Sequence, residues 1–131
     1  MVKALIDTQV FVWLLTEDPK LGKSTRDLLG DDSNRVLISY FSFFEMVIKS
    51  SIGKMKIDLS VIDDLPRMGI ELIMPDVDAL RTYGIYNPSN KDPFDNILLS
   101  VARNEKCTFV TSDDKILATP SKGLKMLDAH G

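Results

Sequence analysis

The 131-residue sequence has very little cysteine and histidine, with one residue of each. The single cysteine, Cys107, cannot form a disulfide within the chain, so we expect a reduced, cytoplasmic protein. Cys107 precedes an apolar run and is interpreted as a small core residue. The single histidine, His130, is next to the last residue. This position argues against Ser–His or Cys–His catalysis and against a histidine-based zinc site.

The chain also lacks a basic excess and a long apolar run. A formal net charge of -3 argues against a protein that coats nucleic acid through general positive charge, but not against an enzyme that grips it locally. No apolar segment approaches the length of a membrane span, and MVKALID reaches Asp7 before a signal-peptide core could form. We therefore expect no membrane association.

The composition that remains is that of a globular protein, with 44% hydrophobic and 27% charged residues. No repeat, low-complexity tract or linker interrupts it. We expect residues 1–131 to form a single domain.

Short apolar runs alternate with stretches of helical length along the whole chain. The predicted strands are 2–6, 35–39, 71–74, 107–111 and, as an optional fifth, 124–127. The predicted helices are 8–16, 21–30, 40–54, 60–68, with Pro66 in doubt, 76–84 and 93–105. This alternation is typical of βαβ units. It predicts an α/β fold, a three-layer α/β/α sandwich with a central parallel sheet of four or five strands.

Residues 92–96 read DPFDN, where a loop becomes a predicted helix. Asp92 is a suitable N-cap and Pro93 fits the first helical position. Asp95 suits the positive end of the helix dipole. Considered alone, this stretch needs no function beyond starting a helix.

Four acids nevertheless fall near one edge of the predicted sheet. Asp7 follows the first strand, Glu45 lies about one turn into the helix after the second, and Asp113 follows CTFVT by one residue. Functional sites of open parallel sheets gather at the carboxyl ends of the strands. Asp95 is expected to be an exception, because its helix precedes a strand and only tertiary packing could bring it to that edge.

Each acid also has a purely structural interpretation. Asp7 could cap the helix that starts at Thr8, and Glu45 could form a capping box with Ser42. Asp113 could start a turn with Asp114. These alternatives stay open for each acid considered alone. The presence of several acids near one edge of the sheet favours a function.

Several carboxylates at one place would raise each other's pKa values unless a cation balanced them. Oxygen ligands suit Mg²⁺ or Mn²⁺, which can orient and acidify a water for attack on a phosphodiester. The residues therefore predict metal-dependent phosphodiester hydrolysis. The predicted metal ligands and catalytic residues are Asp7, Glu45, Asp95 and Asp113.

The sequence resembles the PIN-domain ribonucleases, and most closely the VapC-type toxins of bacterial toxin–antitoxin pairs. The resemblance rests on LIDTQVFVWLL, SYFSFFEMVIKSSIGKMKI, KDPFDNILLSVA and FVTSD, in family order over nearly the whole chain. It implies an endoribonuclease that uses Mg²⁺ or Mn²⁺ and cleaves RNA. The family acids would be Asp7, Glu45, Asp95 and Asp113. It also implies a homodimer, silenced by an antitoxin protein whose tail lies across the active-site groove.

The sequence departs from the family pattern at several motif positions. Gln9 stands where many relatives have His, and Phe44 where many have Trp. Asn90, Lys91 and Asn96 alter the family motif H-x-D-P-F-D-R. These departures favour an alternative, a catalytically silent PIN-like module that binds RNA or a protein partner. A phosphoacceptor receiver domain ranks last, because LIDTQ supplies one acid where such a domain needs adjacent acids.

Residues beside the acids are candidates for supporting roles at the site. The hydroxyls of Thr8 and Thr111 could orient Asp7 and Asp113, although Thr8 could equally cap a helix and Thr111 be an ordinary strand residue. Asp92 could approach the metal through water, but capping is the better interpretation.

Two further groups complete the candidates. Lys49, Lys54 and Lys56 form a basic cluster that could steer RNA, with a solvated lysine face preferred. The apolar run 11–15 should be mostly core, with a remainder for a dimer or antitoxin groove.

Overall fold

The computed structural model describes residues 1–86, 92–118 and 123–131, and within them a parallel sheet lies between two layers of helices. The strands are β1 (Lys3–Ile6), β2 (Arg35–Ser39), β3 (Ile70–Ile73), β4 (Thr108–Thr111) and β5 (Met126–Asp128). The helices are α1 (Thr8–Thr16), α2 (Lys23–Gly30), α3 (Tyr40–Ser51), α4 (Val61–Met68), α5 (Val77–Tyr86), α6 (Pro93–Asn104) and α7 (Asp114–Ala118).

The five strands pair only in parallel, in the order β3-β2-β1-β4-β5. The predicted α/β/α sandwich is therefore confirmed, with five strands. No helix in the described ranges is long and apolar enough to cross a membrane.

Successive strand residues supply two separate cores, one on each face of the sheet. Ala4, Ile6 and Val110 face a cluster that includes side chains of α1, α3 and α4. Leu5 and Phe109 face a second cluster that includes side chains of α5, α6 and α7. Because both faces are covered, the strands are apolar nearly throughout, which is why they were recognisable in the sequence.

The structure moves several predicted boundaries and removes the doubt about Pro66. β3 begins at Ile70 rather than at Glu71, because Gly69 ends α4 at φ 73° and Ile70 pairs with Val36. α4 runs through Pro66 without ending there. The last strand is Met126–Asp128 instead of 124–127, since its pairing with β4 begins at Met126.

The sequence analysis missed α7 entirely. This helix has five residues, too few for apolar periodicity to reveal. It begins because the Asp113 carboxylate accepts hydrogen bonds from the amides of Lys115 and Ile116.

The chain path brings several helix N-termini to the carboxyl edge of the sheet. α1 follows β1 directly and α3 follows β2 directly, with Asp7 and Ser39 as their N-caps. α6 returns across the sheet before β4, so it runs opposite to the strands and also begins at this edge. Asp95 is therefore no exception, and the expectation that it was one is wrong. A helix that leads into a parallel strand starts where the strands end.

Candidate active site

A cavity of about 190 Å³ opens at the carboxyl edge of the sheet and is lined mainly by acids. Its carboxylates are Asp7, Glu45, Asp92, Asp95 and Asp113. The rest of its described lining is Thr8, Gln9, Lys49 and Met55. The structure thus brings together all four acids that the sequence singled out, and adds the capping residue Asp92.

Asp7 is both a helix cap and a wall of this cavity. It is buried, its Oδ1 accepts from the amide of Val10 at 2.9 Å, and its Oδ2 accepts from the Thr111 hydroxyl. Burial raises the pKa of Asp7, with a contribution from the charge of Glu45, although the two hydrogen bonds oppose the rise. Capping and function are therefore compatible for this residue.

Glu45 is held at both of its carboxylate oxygens although only 4% of the residue is exposed. The Thr8 hydroxyl donates to Oε1 at 2.7 Å, and the Lys49 ammonium lies 2.6 Å from Oε2. The capping box with Ser42 is wrong, because α3 begins earlier and Ser39 caps it by accepting from the amide of Phe41. Glu45 is thus a buried, paired acid in the second turn.

Asp95 gives the clearest electrostatic signal in the cavity. The Asp92 carboxylate caps α6, accepting from the amides of Phe94 at 2.9 Å and Asp95 at 3.4 Å, so the first turn carries Asp95 to the cavity. Burial, followed by repulsion from neighbouring carboxylates, raises the pKa of Asp95 to about 7. The repelling residues are Asp92, Asp113, Glu45 and Asp7. Such a shift is typical of a carboxyl group that is buried among other negative charges.

Thr111 links two of the acids. Its hydroxyl donates to Asp7 and accepts from the amide of Asp113 at 3.1 Å. Thr8 was expected to orient Asp7, but its hydroxyl bonds Glu45 instead. Both threonine hydroxyls therefore bond carboxylates of the cavity, but not the predicted ones: Thr8 bonds Glu45 instead of Asp7, and Thr111 bonds Asp7 instead of Asp113.

The three lysines of the predicted basic cluster have different surroundings. Lys54 and Lys56 are exposed and do not line the cavity, in agreement with a solvated face. Lys49 points into the cavity. Burial acts to lower its pKa, but the hydrogen bond and charge of Glu45, together with Asp92 and Asp95, outweigh burial and raise it. The signal available in the sequence was the i,i+4 spacing from Glu45, which places an acid and a base on one helix face.

The departures from the family motifs lie in different places. Gln9 lines the acidic cavity, whereas Asn96 is buried outside its lining and donates to the Tyr83 hydroxyl of α5 at 3.5 Å. The ring of Phe44 packs against Phe94, with centroids 6.0 Å apart. Asn90 and Lys91 lie outside the described residues.

The donor set fits a hard divalent cation. In the described part of the chain, no three His, Cys, Asp or Glu side chains already lie close enough together to hold a metal ion. The cavity nevertheless offers carboxylate oxygens, which Mg²⁺ and Mn²⁺ prefer. The repulsion that raises the pKa of Asp95 is what such a cation would relieve.

Comparison with solved structures finds the same fold in toxin–antitoxin complexes. VapBC2 from Rickettsia felis, bound to a promoter DNA fragment, has a TM-score of 0.73 at 19% identity and covers 97% of this chain and 98% of that chain. VapBC-1 from nontypeable Haemophilus influenzae has a TM-score of 0.70 at 16% identity, covering 99% and 100%. VapBC from Salmonella typhimurium, bound to DNA, has a TM-score of 0.70 at 18% identity, covering 98% and 99%. At these identities the similarity establishes the fold.

Sequence comparison establishes the family. No curated protein sequence matches the chain. The model of the PIN domain matches residues 4–122, nearly the whole chain, and so confirms the resemblance to PIN domains. The chain therefore belongs to the PIN domain family.

Proposed function

We propose that this protein is a Mg²⁺- or Mn²⁺-dependent endoribonuclease that hydrolyses RNA phosphodiester bonds. The observation that carries the proposal is the convergence of Asp7, Glu45, Asp95 and Asp113 on one cavity. Membership of the PIN domain family, whose nucleases use divalent ions, supports it.

The four acids would hold the ion, which when bound supplies the positive charge that acidifies a water and shields the phosphodiester. The chain itself fixes the acids. Thr111 and the amide of Val10 hold Asp7, while Thr8 and Lys49 hold Glu45. The α7 amides hold Asp113. Because these bonds restrict the carboxylate rotamers, the site is preorganised for oxygen ligation.

The direct test is cleavage of a labelled RNA by purified protein with Mg²⁺ or Mn²⁺, with and without chelator. We expect cleavage that the chelator stops and that Asp95→Asn abolishes. Asp114→Asn is the matched control, because Asp114 is an exposed acid in the first turn of α7 that does not line the cavity. Cleavage that survives both the chelator and Asp95→Asn would refute the proposal.

We also propose that the protein is the toxin of a type II toxin–antitoxin pair, acts in the cytoplasm, forms a homodimer and is silenced by a cognate antitoxin. The similar folds within VapBC complexes support this. The apolar run 11–15 is mostly core, as predicted, since Phe11 and Trp13 are buried. Exposed large hydrophobic side chains lie along α3 and at its C-cap, namely Tyr40, Phe44, Val47, Ile48 and Ile52. We assign protein–protein contact to this surface.

Induced expression tests the toxin assignment. We expect growth arrest with the wild-type chain and normal growth with Asp95→Asn at equal protein level. Co-expression of a neighbouring small gene should restore growth if it encodes the antitoxin. Absence of divalent-ion binding by calorimetry, together with normal growth, would instead favour the catalytically silent module.

A further inference from the structure

Lys49 places a positive charge beside a site that is itself expected to bind a cation, which is unusual. Among the described residues that line the acidic cavity, it carries the one positive charge beside five carboxylates. Its ammonium lies 2.6 Å from Glu45 Oε2, and its side chain is 41% exposed while that of Glu45 is 5% exposed. The Coulomb attraction between a desolvated acid and a half-buried ammonium is stronger than that between two surface charges, because the effective dielectric is lower.

The Glu45–Lys49 ion pair distinguishes Glu45 from Asp7 and Asp113 by the charge of their hydrogen-bond donors. Glu45 receives a charged donor at one oxygen and the Thr8 hydroxyl at the other. Asp7 and Asp113 accept their hydrogen bonds from uncharged donors, namely backbone amides and the Thr111 hydroxyl. Within the described ranges, Glu45 is therefore the acid with a charged donor, whereas the donors of Asp7 and Asp113 are uncharged.

We propose that Lys49 is a resident counter-cation of the cavity, a positioning residue that pairs with Glu45 and limits the site to one divalent ion. This inference rests on the proposed metal-dependent function. A second divalent ion, as in two-metal nucleases, would need further carboxylate oxygens without a charged partner. In this chain both oxygens of Glu45 already have partners, the Thr8 hydroxyl and the Lys49 ammonium.

Removal of the ammonium should therefore strengthen metal binding. Lys49→Met keeps most of the aliphatic stem and deletes the charge, so the potential in the cavity becomes more negative. We expect about tenfold tighter Mn²⁺ binding or the appearance of a second bound ion, since a charge a few ångströms away acts strongly at low effective dielectric. Lys49→Arg keeps the charge and should behave as wild type.

Titration calorimetry of the full chain with Mn²⁺ tests the proposal. Wild type should bind one ion, Lys49→Met should bind more tightly or bind two, and Lys54→Met, which removes an exposed lysine outside the cavity, should match wild type. Two ions on wild type, or unchanged or weaker binding by Lys49→Met, would overturn the role of Lys49 and leave the metal-dependent function intact. No ion on wild type would overturn both.

Thermal unfolding separates charge balance from packing. Without metal, Lys49→Met should unfold at a lower temperature than wild type, and saturating Mn²⁺ should close the gap because the ion replaces the lost charge. A gap that stays equal with and without Mn²⁺ would show that Lys49 acts only through packing. Lys49→Gln provides a polar second variant if Lys49→Met does not fold.

Discussion

The two edges of the sheet carry opposite charges and only one of them has the properties of a reaction site. At the carboxyl edge, five carboxylates and one lysine line a cavity of about 190 Å³. At the amino edge, a larger cavity of about 410 Å³ is lined by Lys3, Arg103, Lys106 and Lys125 without an acid in its described lining. Cavity size is therefore a poor guide to the candidate site, since a still larger cavity of about 580 Å³ lies beside α4 and β3.

Helix dipoles explain the sign of charge at both edges. Acids at helix N-termini and bases near helix C-termini are each favourable, and Asp92 and Arg103 occupy these positions at the two ends of α6. At the basic edge Lys3 is paired locally, since its ammonium lies 3.5 Å from the Glu105 carboxylate and donates to the Glu105 carbonyl at 2.9 Å. Capping does not explain Glu45, because it is buried within a helix beside other acids. Burial of repelling carboxylates therefore distinguishes a candidate active site from a set of helix caps.

The largest contrast between the edges should appear in catalysis. Asp7→Asn keeps a residue able to cap α1 but removes a negative charge, so we expect RNA cleavage to fall by about a hundredfold or more. Lys106→Met, at the basic edge, should leave the rate unchanged. Initial rates at saturating Mn²⁺ measure both, and an equal loss in the two variants would remove the distinction between the edges.

The two ends of β4 allow a finer comparison. Thr111→Val deletes the hydroxyl that bonds Asp7, and we expect Mn²⁺ affinity to fall by about 10- to 100-fold, as for other residues that support metal ligands. Thr108→Val makes the same chemical change at the opposite end of the strand, where Thr108 lines the basic cavity. Calorimetry should find its Mn²⁺ affinity equal to that of wild type. Equal affinities for all three proteins would show that the Thr111 hydroxyl does not support the site.

The acidic edge should make metal-free stability depend on pH. Because the pKa of Asp95 is about 7 in the folded chain and its ordinary value is 3.8, the folded state retains a proton that the unfolded state has lost. The free energy of unfolding should therefore fall as pH rises from about 4 to about 7. Asp7, whose pKa is also raised, acts in the same direction.

Thermal unfolding across this pH range, in chelator, measures the effect. Asp95→Asn should flatten the dependence, and saturating Mn²⁺ should flatten it in wild type. The groups that face Asp95 in the cavity are Asp7, Glu45, Asp92 and Asp113, with Lys49 opposing them. An unchanged slope in Asp95→Asn would assign the pH dependence to other groups.

The smallest effect is expected at the basic edge. Lys106 has φ 56°, a conformation that glycine adopts at lower cost after a helix C-terminus. Lys106→Gly should raise the free energy of unfolding by roughly 0.5–1 kcal/mol, because released backbone strain exceeds the added entropy of the unfolded chain. Denaturant unfolding measures this gain, and Mn²⁺ affinity should stay constant. A loss of stability would mean that the Lys106 side chain matters more than its backbone.

Much of the fold could be predicted because burial on both faces leaves a local trace. RVLIS is apolar over the segment that becomes β2, and α1 was predicted with its observed bounds. Short elements left no such trace. α7 depends on side-chain bonds from Asp113, and β5 is defined by its pairing with β4.

The sequence by itself determined which acids are available and that Asp92, rather than Asp95, caps α6, because capping depends on residues within one turn. Only the tertiary structure decided that Asp95 meets Asp7 and Asp113, because their elements are distant along the chain and meet through the parallel sheet. The partner of Thr8 likewise became known only once α1 and α3 were placed side by side. The raised pKa of Asp95 likewise depends on the tertiary structure, since burial and charge repulsion act through space.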